Sequence, residues 1–151
     1  TDPEGIMENF DALRTDPTGK PQYRLSADRL KHYTGSKRTE LEAPRFVRIN
    51  DATGEVRATA REGTVSPDGN EVDLRGDVVV ERAARPGQSL MTLKTGRLLV
   101  FPERDQMRAP GAIEVRDDTL EMRAGGMEYD ARQRKMKLTG RVNARYISGR
   151  T

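Results

Sequence analysis

The sequence predicts an all-β protein, an elongated and curved two-layer slab of mostly antiparallel strands, either a jelly roll or a solenoid. The first observation behind this is strict alternation of apolar and polar residues, the mark of strands with one buried face. In 71–81 (EVDLRGDVVVE), Val72, Leu74, Gly76, Val78 and Val80 share one face, while Glu71, Asp73, Arg75, Asp77, Val79 and Glu81 share the other. In 134–146 (RKMKLTGRVNARY), Met136, Leu138, Gly140, Val142, Ala144 and Tyr146 lie opposite Lys135, Lys137, Thr139, Arg141, Asn143 and Arg145. A helix, with a period of about 3.6, would mix these sets.

The second observation is a repeat. Leu41-Glu-Ala43, Leu74-Arg-Gly76, Met107-Arg-Ala109 and Leu138-Thr-Gly140 share the form large apolar, polar, small, and their starts step by 33, 33 and 31. A second set, Leu25-Ser-Ala27, Ala58-Thr-Ala60, Met91-Thr-Leu93 and Met122-Arg-Ala124, steps identically. The chain therefore holds four copies of a unit of roughly 33 residues, each with at least two strands. A unit this short cannot bury its apolar face alone, and stacking gives a continuous interior.

Taken in order, residues 1–20 are rich in Asp, Pro, Thr and Gly and read as a flexible leader. The β domain is expected over 21–148. Near its start Arg45 falls on the apolar parity of 41–49, which a bulge would repair. Ser66-Pro-Asp-Gly69 and Ala84-Arg-Pro-Gly87 read as turns, and Asp130-Ala-Arg-Gln133 takes the same place later in the chain. The small residue of each motif marks a bulge or a close backbone approach. An open stack leaves unpaired strand edges at its two ends.

The chain has 151 residues, one domain's worth. Only 34% is hydrophobic and 34% is charged, a balance that means disorder unless periodicity says otherwise, as it does here. The net charge of +3 comes from interspersed signs, so a nucleic-acid interface is not expected. There is no cysteine, hence no disulfide or thiolate chemistry. No apolar run reaches the roughly 20 residues of a membrane helix.

No catalytic constellation emerges. His32 is the one histidine, and no second His, Cys or close acidic pair completes a metal site, so no metal or cofactor is expected. Asp117-Asp-Thr119 reads as a turn, and Arg123-Ala-Gly-Gly126 lacks the lysine and spacing of a phosphate loop. Met91, Met107, Met122, Met127 and Met136 sit at apolar repeat positions. They are most simply core, yet flexible thioethers also suit a surface that accepts a variable apolar ligand.

Several pieces occur together in order: Tyr23-Arg-Leu-Ser-Ala27, Ala58-Thr-Ala-Arg-Glu-Gly63, Val72-Asp-Leu-Arg-Gly-Asp-Val78, Leu93-Lys-Thr95 with Leu98-Leu-Val100 and Pro102, and Gly126-Met-Glu-Tyr-Asp130 with Leu138-Thr-Gly-Arg-Val142. This order resembles the periplasmic domain of the LptC family, from the lipopolysaccharide export machinery. The resemblance implies a twisted β jelly roll and a non-enzymatic protein without cofactors. It implies periplasmic placement, with a membrane helix ahead of the domain anchoring it to the inner membrane. Lipopolysaccharide would arrive from an ATP-driven transporter of the LptB2FG type, met on the N-terminal side. It would leave to an LptA-like protein at the C-terminal strand edge.

The apolar face would then be the lipid trough: Leu41, Val47, Val72, Leu74, Val78, Val80, Leu93, Leu98, Met107, Ile113, Met122, Met136, Leu138 and Val142. The candidate partner edge runs through Leu138, Gly140, Val142, Ala144 and Tyr146, with self-association through such edges also open. Three other readings stand beside this one. They are a soluble LptA-like bridge unit, a ligand-free scaffold that polymerises edge to edge, and a carbohydrate-binding solenoid. The few aromatic residues weigh against the last.

Overall fold

The computed structural model describes residues 3–50 and 54–147. Its fourteen strands are β1 Gly5–Thr15, β2 Pro21–Tyr33, β3 Arg38–Glu42, β4 Arg45–Asn50, β5 Gly54–Thr59, β6 Glu62–Val65, β7 Val72–Arg82, β8 Met91–Phe101, β9 Gln106–Ala109, β10 Ile113–Arg116, β11 Leu120–Ala124, β12 Gly126–Asp130, β13 Lys135–Thr139 and β14 Asn143–Tyr146. All join one antiparallel sheet. The expected all-β jelly roll is what forms, and the expected domain limit at Ser148 lies outside the described residues.

The pairings reduce the strands to nine up-and-down passes. β3 with β4, β6 with β5, β9 with β10, β12 with β11, and β13 with β14 are each one pass broken near its middle. β3 pairs β6 while β4 pairs β5, β9 pairs β12 while β10 pairs β11, and the two halves of β7 take β6 and β5 separately. Every pass thus contributes half its length to each of two layers, and the sheet is folded lengthwise along the line of breaks. Leu41, Val72, Leu74, Val78 and Leu98 lie at most 1% exposed between the layers. Each such side chain contributes about 1.5–3 kcal/mol by burial.

The small residue of the repeat is where the sheet folds. Ala43, Gly76 and Gly140 have φ of 51°, 85° and 75°, in the left-handed region where Ala is strained and Gly is not. At Gly76 the β7–β8 register shifts between Arg75 and Val78, a bulge completed by Asp77 at φ 47°. At Ala43-Pro44 the pass breaks outright, and Ala43 N–H donates to the Arg61 carbonyl at 2.8 Å to carry the pairing round the corner. This break supplies the parity change expected near Arg45: Phe46 turns inward at 4% exposure and Arg45 turns out. Ala109 makes its corner with Pro110 and Gly111 instead, since Pro ends a ladder.

Two expectations are corrected. Residues 5–15, placed in a flexible leader, form β1, which pairs β2 from Gly5↔His32 to Thr15↔Pro21. Met7-Glu8-Asn9 is a further copy of the corner motif, with Asn9 at φ 52°. Asn tolerates the left-handed region as a small residue would, and for that reason the pattern large apolar, polar, small missed it. Second, 134–146 is not one strand. Gly140 divides it, so β13 extends one layer beside β12 and β14 extends the other beside β11.

Candidate functional site

Between the layers the interior is filled at one end and open at the other. At the N-terminal end Tyr23 stacks on Phe46 with ring centroids 4.9 Å apart, and Phe10 packs against the same core. Ion pairs join the two layers across the mouth there. Arg14 of β1 meets Glu103 at 2.6 Å, and Arg48 of β4 meets Asp105 in the turn after β8. Arg132 of the β12–β13 turn adds a second cation to Asp105 at 3.1 Å.

Toward the C-terminal end the mouth widens into an apolar cleft of about 380 Å³. One wall comes from β5, β7 and β8 through Val56, Val80, Met91 and Leu93; the other comes from β9, β12 and β13 through Met107, Met127, Tyr129 and Met136. Alternation within each strand aims these side chains inward, opposite outward partners such as Arg108, Glu128 and Lys137. Four of the lining residues are methionines, which adjust to irregular apolar shapes through three rotatable bonds. Arg82 and Arg134 stand at the rim. The volume lies in the usual range of small-ligand sites, roughly 300–1,000 Å³.

The expected trough residues divide into groups. Val80, Leu93, Met107 and Met136 line the cleft. Leu41, Val72, Leu74, Val78, Leu98 and Ile113 face the interior but are at most 4% exposed and form closed core. Met122 and Leu138 are partly buried beside that core. Val47 faces outward, since its partners in the neighbouring strands are the exposed Arg24 and Arg57. The break at Ala43-Pro44 reversed its parity. Val142 lies in the connector between β13 and β14 and is 45% exposed.

Sequence reasoning left Val56, Met91, Met127 and Tyr129 off the lining set. The alternation of Met127 and Tyr129 with Glu128 was available as a signal. The position of Val56 follows only from the fold of the sheet.

Among the described residues, both ends of the sheet are open edges. β1 pairs only β2, and it carries the exposed Ile6, Met7 and Leu13. At the other end β13 pairs only β12 and β14 only β11. Of the expected edge residues, Leu138 is in β13, Gly140 and Val142 form the corner, and Ala144 and Tyr146 are in β14, with Tyr146 85% exposed.

Charges outside the cleft are mostly neutralised in pairs. Asp73 is held below the usual carboxylate range: burial pushes it up, but hydrogen bonds from Arg97 and Arg75 together outweigh that. Glu121 is lowered by the hydrogen bond from Arg145 of β14. Asp117 caps its turn by accepting from the N–H of Thr119 and Leu120, as its turn pattern suggested. His32 shares a 3.0 Å hydrogen bond with Thr39, and among the described residues no cluster of three metal-ligating side chains occurs. No helix in them is long and apolar enough to cross a membrane.

Comparison with known proteins agrees with this architecture. No curated protein matches the sequence at a significant level. Among solved structures the fold is similar to that of LptH from Pseudomonas aeruginosa, described as the LptA-homologous periplasmic component of the lipopolysaccharide transport device. The TM-score is 0.65 at 12% identity, over 81% of this chain and 92% of that one. The family model described as lipopolysaccharide-assembly, LptC-related, matches residues 1–147. The chain belongs to the LptC-related family of lipopolysaccharide-assembly proteins.

Proposed function

We propose that this protein is a non-enzymatic lipid conduit that carries the acyl chains of lipopolysaccharide in the cleft between its two layers. The observation that carries this reading is the methionine-lined opening, an uncovered apolar surface continuous with the core of a family member. Binding of this kind is non-directional and scales with apolar area, roughly 25 cal/mol per Å². It tolerates variation in acyl-chain length and holds cargo without fixing it.

The open edges support a place in a chain of like folds. On this reading β1 meets the ATP-driven transporter of the inner membrane, with a membrane helix ahead of the domain holding it there. β13 and β14 add strands to an LptA-like protein, the two halves extending both layers across the junction. Backbone hydrogen bonds supply the affinity of such strand addition.

The test is binding of lipopolysaccharide to the purified chain and to a Met136→Arg variant, which sets a cation at the mouth of the cleft. Loss of binding with unchanged melting supports the reading. A folded wild-type protein that takes up no lipopolysaccharide leaves the ligand-free scaffold in its place. For the edge, Ala144→Pro removes a backbone donor from β14. Undiminished capture of a purified LptA-like protein by that variant would place the junction elsewhere.

A further inference from the structure

The lysines and arginines of this chain are not distributed evenly between paired and unpaired states. Along both layers most cations meet a carboxylate: Arg29 with Glu8, Arg45 with Asp28, Arg97 with Asp73 and Arg123 with Glu114 are examples. Among the described residues, the cations engaged by no carboxylate include Lys37, Lys94 and Arg141 at scattered positions. The remaining five are Arg104, Arg108, Arg134, Lys135 and Lys137, and all five border the apolar cleft or the far side of its wall.

The wall formed by β9, β12 and β13 has two concave faces. Its inner face is the methionine cleft. Its outer face is a depression of about 750 Å³ whose lining includes Arg104, Arg108, Lys135 and Lys137. Arg104 stacks over Phe101 at 4.4 Å, which fixes a guanidinium at the upper margin. Two carboxylates share this depression. Asp130 is already engaged by the side chain of Gln106 and the N–H of Gln133. Glu128 stands between Arg108 and Lys137 by register. The balance is four cations to two carboxylates.

The lip between the faces is where the β12–β13 turn enters β13, and there the successive residues Arg134 and Lys135 line the cleft and the outer depression respectively. Across the mouth, Arg82 donates to the Ser89 carbonyl at 3.3 Å and its charge is shared with Asp117, while its buried Nε has no hydrogen-bond partner.

We infer that this lip is the headgroup site for the cargo: acyl chains lie in the cleft and anionic groups of the headgroup bind Arg134 and Lys135. The more distal headgroup then folds over the lip toward Arg104, Arg108 and Lys137. Uncompensated cations beside an apolar cleft are complementary to one ligand class, an anionic amphiphile. Paired cations elsewhere on the same surface offer no comparable attraction. The inference rests on the conduit reading above.

The test compares equilibrium binding of radiolabelled phosphorylated lipid A with its phosphate-free counterpart of identical acyl chains, at low and high salt. The proteins are the wild type and a variant carrying R134Q, K135Q and K137Q. These side chains are exposed, so the variant melts with the wild type. The wild type is expected to prefer the phosphorylated lipid by about tenfold or more at low salt, the worth of one charge-assisted hydrogen bond. In the variant that preference disappears, the loss of affinity falling on the phosphorylated lipid. Equal wild-type affinity for both lipids would overturn the headgroup site while leaving the conduit intact, as would an equal loss for both in the variant. Absence of binding for either lipid in the wild type would remove the conduit reading itself.

Discussion

Leu74 and Met136 both point inward on the repeat's apolar face, yet the fold gives them different jobs, and truncating each to Ala separates them. Leu74 is fully buried between the layers at 0% exposure, against Gly63 in β6 and Leu98 in β8. Leu74→Ala removes a buried isobutyl group and leaves a cavity, costing about 3–4 kcal/mol. At roughly 2–4 °C per kcal/mol for a chain of this size, melting falls by about 6–16 °C. Met136 is 37% exposed at the cleft. Truncating it costs about 1 kcal/mol, since part of its surface is already in water.

Lipid binding should rank the two the other way. Met136→Ala removes contact with one or two methylenes of a bound chain at about 0.8 kcal/mol each, weakening affinity roughly fourfold to fifteenfold. Leu74→Ala, measured well below its melting temperature, should bind as the wild type does. Thermal denaturation and lipopolysaccharide titration read both quantities. Equal stability losses, or a binding loss confined to Leu74→Ala, would refute the division into closed core and open cleft.

Other consequences follow from the same geometry. Gly140→Val places a β-branched residue at φ 75° with its Cβ 3.1 Å from Gly125 Cα; the left-handed backbone alone costs about 1–2 kcal/mol, and an unchanged melting temperature would show that the corner does not need Gly. Asp105→Ala strips Arg48 and Arg132 of their shared carboxylate; a loss of about 1–3 kcal/mol in urea denaturation is expected, and none at all would mean that the ion pairs across the mouth hold nothing together. Asp73 and Glu121 have folded-state pKa values below their ordinary 3.8 and 4.5, so their contribution is complete above those values and is lost as pH falls through the lower folded ones. Stability measured by denaturant should therefore hold from pH 7 to about 5 and decline below about pH 4, and Asp73→Asn should flatten that decline. A main loss between pH 7 and 5 would contradict the assignment.

Much of this fold was legible because strand alternation and a repeat of roughly 33 residues are both local signals. Leu74, Val78 and Val80 fell on the buried face by parity alone. The role of the small residue was only half legible: Ala43, Gly76 and Gly140 marked an irregularity, but that it folds one sheet into two layers depends on pairings across the whole chain. The same long-range event moved Val47 outward and split 134–146. Asn9 hid the first copy because its side chain is polar, although it takes the left-handed backbone that the corner needs.

The site was less legible than the fold, since inward parity does not distinguish closed core from open cleft. That difference is set by what the facing layer places opposite. Tyr23 and Phe46 fill the interior at one end. At the other, Met107 and Met136 stand across from Val80 and Leu93 with space between. The cationic lip was invisible for a related reason. A sequence shows how many arginines there are but not which ones meet a carboxylate.

The central claim is that acyl chains enter the space between the layers at its C-terminal opening. Light-activated crosslinking to lipopolysaccharide tests it directly, with the crosslinker at Met107 and Met136 in the cleft, and at Val47 and Arg75 on the outer faces. The account predicts adducts at Met107 and Met136 and none at Val47 or Arg75. Adducts of equal yield at all four positions, or none at any position in a folded protein, would contradict it.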